Sequence, residues 1–181
     1  MRVLVSAASR HGSTAEMAAE VATVLGEAGI DAVVLAPDDI HSLDGWDAAV
    51  IGSAIYVGHW LAPARDLVER LAAELAERPV WLFSSGPIGD PPSPAEEPED
   101  VAELAELICA RGHQIFAGRI DRKQLGLGEK VIMTAIRAPE GDFRPWTDVR
   151  TWAEQIARDL ATERVPDGGA GAGDEPQGGT P

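Results

Sequence analysis

The stretch Arg2-Val3-Leu4-Val5-Ser6-Ala7-Ala8-Ser9-Arg10-His11-Gly12-Ser13-Thr14 decides how this chain is read. A compact apolar run, Arg2–Val5, gives way to a loop of small and hydroxylated residues. Behind it Met17, Val21, Val24 and Ala28 recur at helical spacing up to Gly29. Strand, tight loop and helix in that order open an α/β unit. The loop lets the backbone wrap closely round a small anion. Free N–H groups and the helix dipole favour negative charge there. Ser9, Ser13 and Thr14 add hydroxyl donors. Ser13-Thr14-Ala15-Glu16 also reads as a capping box, which needs no ligand. A capping box does not account for Arg10 and three hydroxyl residues crowded into six positions, so a phosphate site over Ser9, Arg10, His11, Gly12, Ser13 and Thr14 is favoured. The G-x-G-x-x-G and G-x-x-x-x-G-K-[ST] spacings are absent, which counts against NAD and against ATP or GTP.

Outward from this stretch the alternation continues. Asp31–Leu35, Ala48–Ile51, Val80–Phe83 and Gln114–Ala117 read as further strands. Ala64 to Leu75, Val101 to Ile108 (ending at Gly112), Leu125 to Ile136 and Val149 to Leu160 read as helices. The first, third and fourth apolar runs are apolar on both faces, as parallel strands covered by helices are. The pattern predicts a doubly wound α/β fold, a five-stranded parallel sheet with helices on both faces. Ligands in such sheets sit beyond the carboxyl ends of the strands, so chemistry is expected in the loops after strands one, three and four.

The second of these loops, Gly52-Ser53-Ala54-Ile55-Tyr56-Val57-Gly58-His59-Trp60, mixes small residues with two aromatics. Its amides can bond a heterocycle edge, and Tyr56 or Trp60 can stack on a flat ring. Trp60 reads equally as a staple for the following helix. In the third loop, Ser84-Ser85-Gly86-Pro87-Ile88-Gly89-Asp90, Ser85 and Gly86 can present amides to a polar ring edge. The proline-rich stretch behind it suits a stiff rim, and Pro98-Glu99-Asp100 suits a helix start.

Composition excludes other classes. The chain has 181 residues, 45% of them apolar, and a net charge of −15. That charge repels nucleic acid and anionic lipid. Eight of the excess acids fall in residues 87–100 and 165–181. One cysteine, Cys109, excludes a disulfide framework and a multi-cysteine metal site, and no metal is expected. Its place in a helical apolar pattern predicts a buried small hydrophobe. No apolar run is long enough to span a bilayer, no secretion signal is evident, and a cytoplasmic location is expected. Residues 1–164 are expected to form one domain, with 165–181 a disordered acidic tail.

The pattern Ser9-Arg10-His11-Gly12-Ser13-Thr14, then Ile51-Gly52-Ser53-Ala54-Ile55-Tyr56-Val57-Gly58, then Phe83-Ser84-Ser85-Gly86-Pro87, resembles the flavodoxin superfamily. Within it the chain looks most like the bacterial flavodoxin-domain proteins related to menaquinone-dependent protoporphyrinogen oxidase, a likeness extended by Pro139-Glu140-Gly141-Asp142-Phe143-Arg144-Pro145-Trp146. The resemblance covers about residues 1–162. It implies strand order 2-1-3-4-5 and FMN held without a covalent link. It puts the phosphate on the first loop and the ring between Ser53, Ala54, Ile55, Tyr56 and Gly58 on one side and Ser85, Gly86 and Pro87 on the other. Residues 84–98 contain no aromatic, so one ring face is expected to be open, which suits a flat second substrate.

On this resemblance the expected activity is that of an FMN-dependent oxidoreductase passing electrons to a quinone, with a porphyrinogen as donor. A flavodoxin-type carrier docking a protein redox partner is the alternative, and a flavin-free protein-binding module the second. No side chain is an obligatory catalyst. Among His11, His59 and His113, His59 is the best placed for proton transfer, though it reads first as a loop histidine facing water. Arg122, Lys123, Lys130, Arg137 and Arg144 are candidates to attract substrate carboxylates, or are simply a solvated face.

Overall fold

The computed structural model describes residues 1–86, 99–121, 126 and 140–163. Its centre is a parallel sheet of β1 (Arg2–Ala8), β2 (Asp31–Leu35), β3 (Ala48–Tyr56), β5 (Val80–Ser85) and β6 (Gly112–Phe116), in the order β2-β1-β3-β5-β6. β4 (His59–Trp60) folds back antiparallel on the end of β3. Counting only the long parallel strands, this is the 2-1-3-4-5 order expected.

Side chains alternate across the strands, and both faces are covered. Val3, Val5 and Phe83 pack with Met17, Val21 and Leu25 of α1 (Ser13–Glu27). Ile156 and Leu160 of the last helix, α5 (Trp146–Glu163), join the same face. On the other face Leu4, Ile51 and Leu82 meet Leu67 and Val68 of α2 (Ala62–Arg70) and Leu75 of α3 (Ala72–Ala76). Val101 and Leu104 of α4 (Glu99–Leu107) complete it. Burial on two sides explains why β1, β3 and β5 read as apolar runs.

β1 and β3 continue past Val5 and Ile51 because ladder bonds form regardless of side chain, between β1 and β3 to Ala8 and between β3 and β5 to Ala54. Ser6, Ser53, Ser84 and Ser85 are therefore buried strand residues. The expected helix over 64–75 is kinked at Leu71 (φ −109°), while the bonds Leu71 N–H to Leu67 O and Leu75 N–H to Leu71 O carry on through the bend. α1 ends as expected at Gly29, whose φ of 77° closes a Schellman turn with Ile30 N–H on Leu25 O.

The same device corrects the reading of Cys109. α4 stops at Leu107, and Cys109 takes φ 52° in a turn closed by Ala110 N–H on Ala105 O. The left-handed residue leaves the helical periodicity, and the thiol is exposed rather than buried. The helix expected over 125–136 and the tail 165–181 lie outside the described residues. Among the described residues no helix is long and apolar enough to cross a membrane.

Candidate functional site

The loop between β1 and α1 is shaped by Gly12, whose φ of 81° caps the helix without a side-chain bond. The capping box is thereby overturned. Ser13 is already the first helical residue, one place too late to serve as its cap. Glu16 turns to other partners described below. The consequence is that the hydroxyls of Ser9 and Ser13 are buried and, among the described residues, have no hydrogen-bond partner. An orphaned buried polar group costs about 1–3 kcal/mol, and here two of them flank the mouth of a helix 15 residues long. Thr14 is 1% exposed beside them. A phosphate monoester supplies what these groups lack: oxygen acceptors for both hydroxyls and for the free amides of the first turn.

The second wall is the end of β3. Tyr56 pairs with His59 and Ile55 with Trp60 across a two-residue turn, Val57 (φ 53°) and Gly58 (φ 83°). The Arg10 guanidinium stands 4.5 Å over the Tyr56 ring and ties the first loop to the second. Trp60 is 2% exposed, and its Nε1 donates to Ser84 Oγ at 2.7 Å. Of its two readings, the staple is the one realised. Ser53 Oγ donates to Ala54 O and accepts from Leu61 N–H, so it anchors the entry to α2.

The third wall is Ser85 and Gly86. A β-carbon on Gly86 would lie 2.8 Å from Ile55 Cβ, so only glycine lets the second and third loops close on each other. A β-carbon on Gly118, just past β6, would lie 3.5 Å from the Gly86 backbone, an ordinary contact. These walls share one cleft, open to solvent on one side. It is lined by Ser9, Arg10, His11, Ser13 and Thr14 from the first loop, and by Ala54, Ile55 and Tyr56 with Leu61 from the second. Ser85 and Gly86 line it from the third. Gly12, Ser53, Gly58 and His59 stand outside the lining, and Pro87 lies outside the described residues. Sequence reasoning missed Gly118, Arg119 and Ile120, which also line it. Their signal was available: they follow β6, and the strand-end rule applies to that strand as well.

His59 is 63% exposed, with Nδ1 3.5 Å from Asp100 Oδ2, which also accepts Trp60 N–H. Asp100 is thus an anchor of the β3–β4 hairpin. His113 Nε2 lies 2.7 Å from Ser84 Oγ, completing a Trp60–Ser84–His113 chain behind the third loop.

Arg144 corrects a further expectation. Neither a solvated face nor a lure for substrate, it is 8% exposed overall. It forks onto Asp142 at 2.6 and 2.8 Å and reaches Glu16 Oε2 at 2.6 Å. Asp142 belongs to β8 (Gly141–Asp142), paired antiparallel with β7 (Arg119–Ile120), so the network fastens this strand pair to α1. The hydrogen bond from Arg144 holds both carboxyls below the usual carboxylate range, and these partners push the guanidinium up. The other four basic residues considered with it lie outside the described residues.

Similarity to known proteins agrees with this geometry. The archaeal flavodoxin structure superposes with a TM-score of 0.63 at 16% identity, covering 89% of this chain and 99% of that one. A Pseudomonas aeruginosa flavodoxin mutant gives 0.61 at 18%, with the same coverage. The protoporphyrinogen IX dehydrogenase [quinone] of Escherichia coli K12 is 30% identical over 89 residues, 46% of this chain and 48% of the relative. The chain thus matches about half the length of that curated relative. The sequence model of the family described as "Flavodoxin domain" matches residues 4–145, through all three loops and the start of the Arg144 network. With a family match over most of the chain and a helix mouth suited to a phosphate, the chain belongs to the flavodoxin-domain family, and its cofactor is FMN.

Proposed function

We propose that this flavin-binding electron-transfer domain acts as an FMN-dependent oxidoreductase whose acceptor is a quinone and whose donor is a porphyrinogen. FMN, when bound, supplies the redox chemistry; the protein supplies orientation and electrostatics. In this reading Ser9, Ser13 and Thr14 hold the phosphate. Ile55 and Tyr56 cover one side of the ring, and Ser85 and Gly86 border its other edge.

The observation that carries the acceptor class is the asymmetry of the cleft. Among the described lining residues Tyr56 is a large ring, whereas Ser85, Gly86 and Gly118 are small, and small residues suit a site with space beside a ring. A flat second substrate fits such a space, which a cofactor sandwiched between two aromatics would close. The name of the curated relative, a quinone-linked protoporphyrinogen dehydrogenase, supports the same substrates over about half its length. A cytoplasmic location is part of this reading.

The test is anaerobic turnover of the flavin-loaded chain with protoporphyrinogen and menadione, without a partner protein. Loss of the porphyrinogen with stoichiometric appearance of the quinol supports the proposal. Reduction of the chain only through a separate reductase, with no direct quinone turnover, replaces it with the carrier reading.

A further inference from the structure

Arg119 stands on the cleft wall behind β6, and its guanidinium forks onto Glu16, Nη1 to Oε2 at 3.2 Å and Nη2 to Oε1 at 3.1 Å. Arg144 holds the same Oε2 at 2.6 Å. The two guanidinium groups are held differently. The Arg144 side chain is 4% exposed, locked by Asp142 and lying against Trp146. That of Arg119 is 24% exposed and has the longer bonds. The two guanidinium groups balance the two carboxylates of Glu16 and Asp142, and Arg119, more exposed and held by longer bonds, is the member able to turn toward a second anion.

Ser9 and Ser13, whose hydroxyls are buried and without a partner among the described residues, line the same cleft. Glu16 belongs to the first turn of α1, three residues beyond Ser13, where a carboxylate opposes any anion at the helix mouth. We propose that Arg119 is a specificity residue for the phosphorylated flavin, shared between Glu16 and the phosphate dianion, with Glu16 competing against that dianion for it. The inference rests on the FMN phosphate lying on the first loop. Arg119 then raises affinity for the phosphate-bearing flavin, and Glu16 lowers it.

FMN and riboflavin differ only in the phosphate, which separates this role from a structural one. The full chain, stripped of flavin, is titrated with each by flavin fluorescence, as wild type, Arg119→Gln and Glu16→Gln. Arg119→Gln is expected to weaken FMN about tenfold, the scale of one charge-assisted contact, and to leave riboflavin within about twofold. Glu16→Gln is expected to tighten FMN several-fold, again without moving riboflavin. The salt dependence of FMN binding is expected to flatten in Arg119→Gln. Equal losses for the two flavins in Arg119→Gln, or a loss of FMN affinity in Glu16→Gln, would overturn the proposal and leave Arg119 a structural staple. If Arg119→Gln does not fold, the sign of the Glu16→Gln effect decides alone, because Arg144 keeps Asp142 in that variant. A wild-type chain that binds riboflavin and FMN equally overturns the phosphate role while sparing the ring site. One that binds neither overturns the cofactor reading as well.

Discussion

Arg144 Nη1 donates to Glu16 Oε2 at 2.6 Å across 128 positions of sequence, tying the segment before the last helix to the first turn of the first. Both carboxylates of the network, Glu16 and Asp142, are held below their ordinary range by the hydrogen bond from Arg144. A carboxylate whose folded pKa is depressed contributes stability that is present above its unfolded pKa, about 4, and is lost as pH falls through the folded value. The urea midpoint of the wild type is therefore expected to fall below about pH 4 more steeply than that of Arg144→Gln. At pH 7 the variant is expected to be less stable by about 1–2 kcal/mol, because the carboxylates are about half exposed and screened. Identical acid slopes in the two proteins would remove this network from the acid response.

Gly86 and Gly118 make a paired prediction. A methyl on Gly86 meets Ile55 Cβ at 2.8 Å, inside any real contact, whereas one on Gly118 meets its nearest atoms at 3.5 Å. Gly86→Ala is expected to cost about 1–3 kcal/mol and to weaken FMN by forcing the Ile55 wall outward. Gly118→Ala is expected to change the thermal midpoint little. Equal effects in thermal melts would mean that the approach of the second and third loops is not what the glycine serves.

The strands and the three loops were legible because they rest on local signals: apolar runs, turn residues and a hydroxyl-rich helix entry; the sheet order came with the family resemblance. The remainder depended on contacts between distant residues. Nothing near Glu16 announces Arg119 or Arg144, and without them Ser13-to-Glu16 passes for a capping box. Trp60 was ambiguous because an indole serves a core and a stacking site equally well. Only the Ser84 hydroxyl 24 positions away, at 2.7 Å from Nε1, decides between them. Cys109 kept the helical spacing, but a Schellman turn requires one residue with positive φ, and the cysteine takes that place.

Trp60 and Tyr56, four residues apart, are expected to respond differently. Trp60→Phe removes the donor to Ser84 Oγ and is expected to cost about 1–2 kcal/mol in chemical denaturation, with FMN affinity nearly unchanged. Tyr56→Ala removes the aromatic wall of the cleft and the platform under Arg10. It is expected to lower FMN affinity about tenfold and to shift the flavin potential, at little cost in stability. A tryptophan variant that loses flavin while keeping its fold would reverse the two assignments.

Ser13 offers a test in which stability and binding move in opposite directions. Among the described residues its Oγ is buried without a partner, as is that of Ser9, so in the flavin-free protein each hydroxyl is desolvated with no bond in return. Ser13→Ala is expected to raise the stability of the flavin-free chain by about 1 kcal/mol, the lower end of the cost of an orphaned hydroxyl. The same change removes a donor to the phosphate, and FMN affinity is expected to fall about tenfold while riboflavin affinity stays level. The gain in stability alone could come from any buried orphan; the loss confined to the phosphorylated flavin could not. Thermal melts without flavin, and paired titrations with the two flavins, read the two halves separately. If the serine variant is destabilised, or binds FMN as the wild type does, the hydroxyl has another partner and the mouth of α1 is not built around an anion.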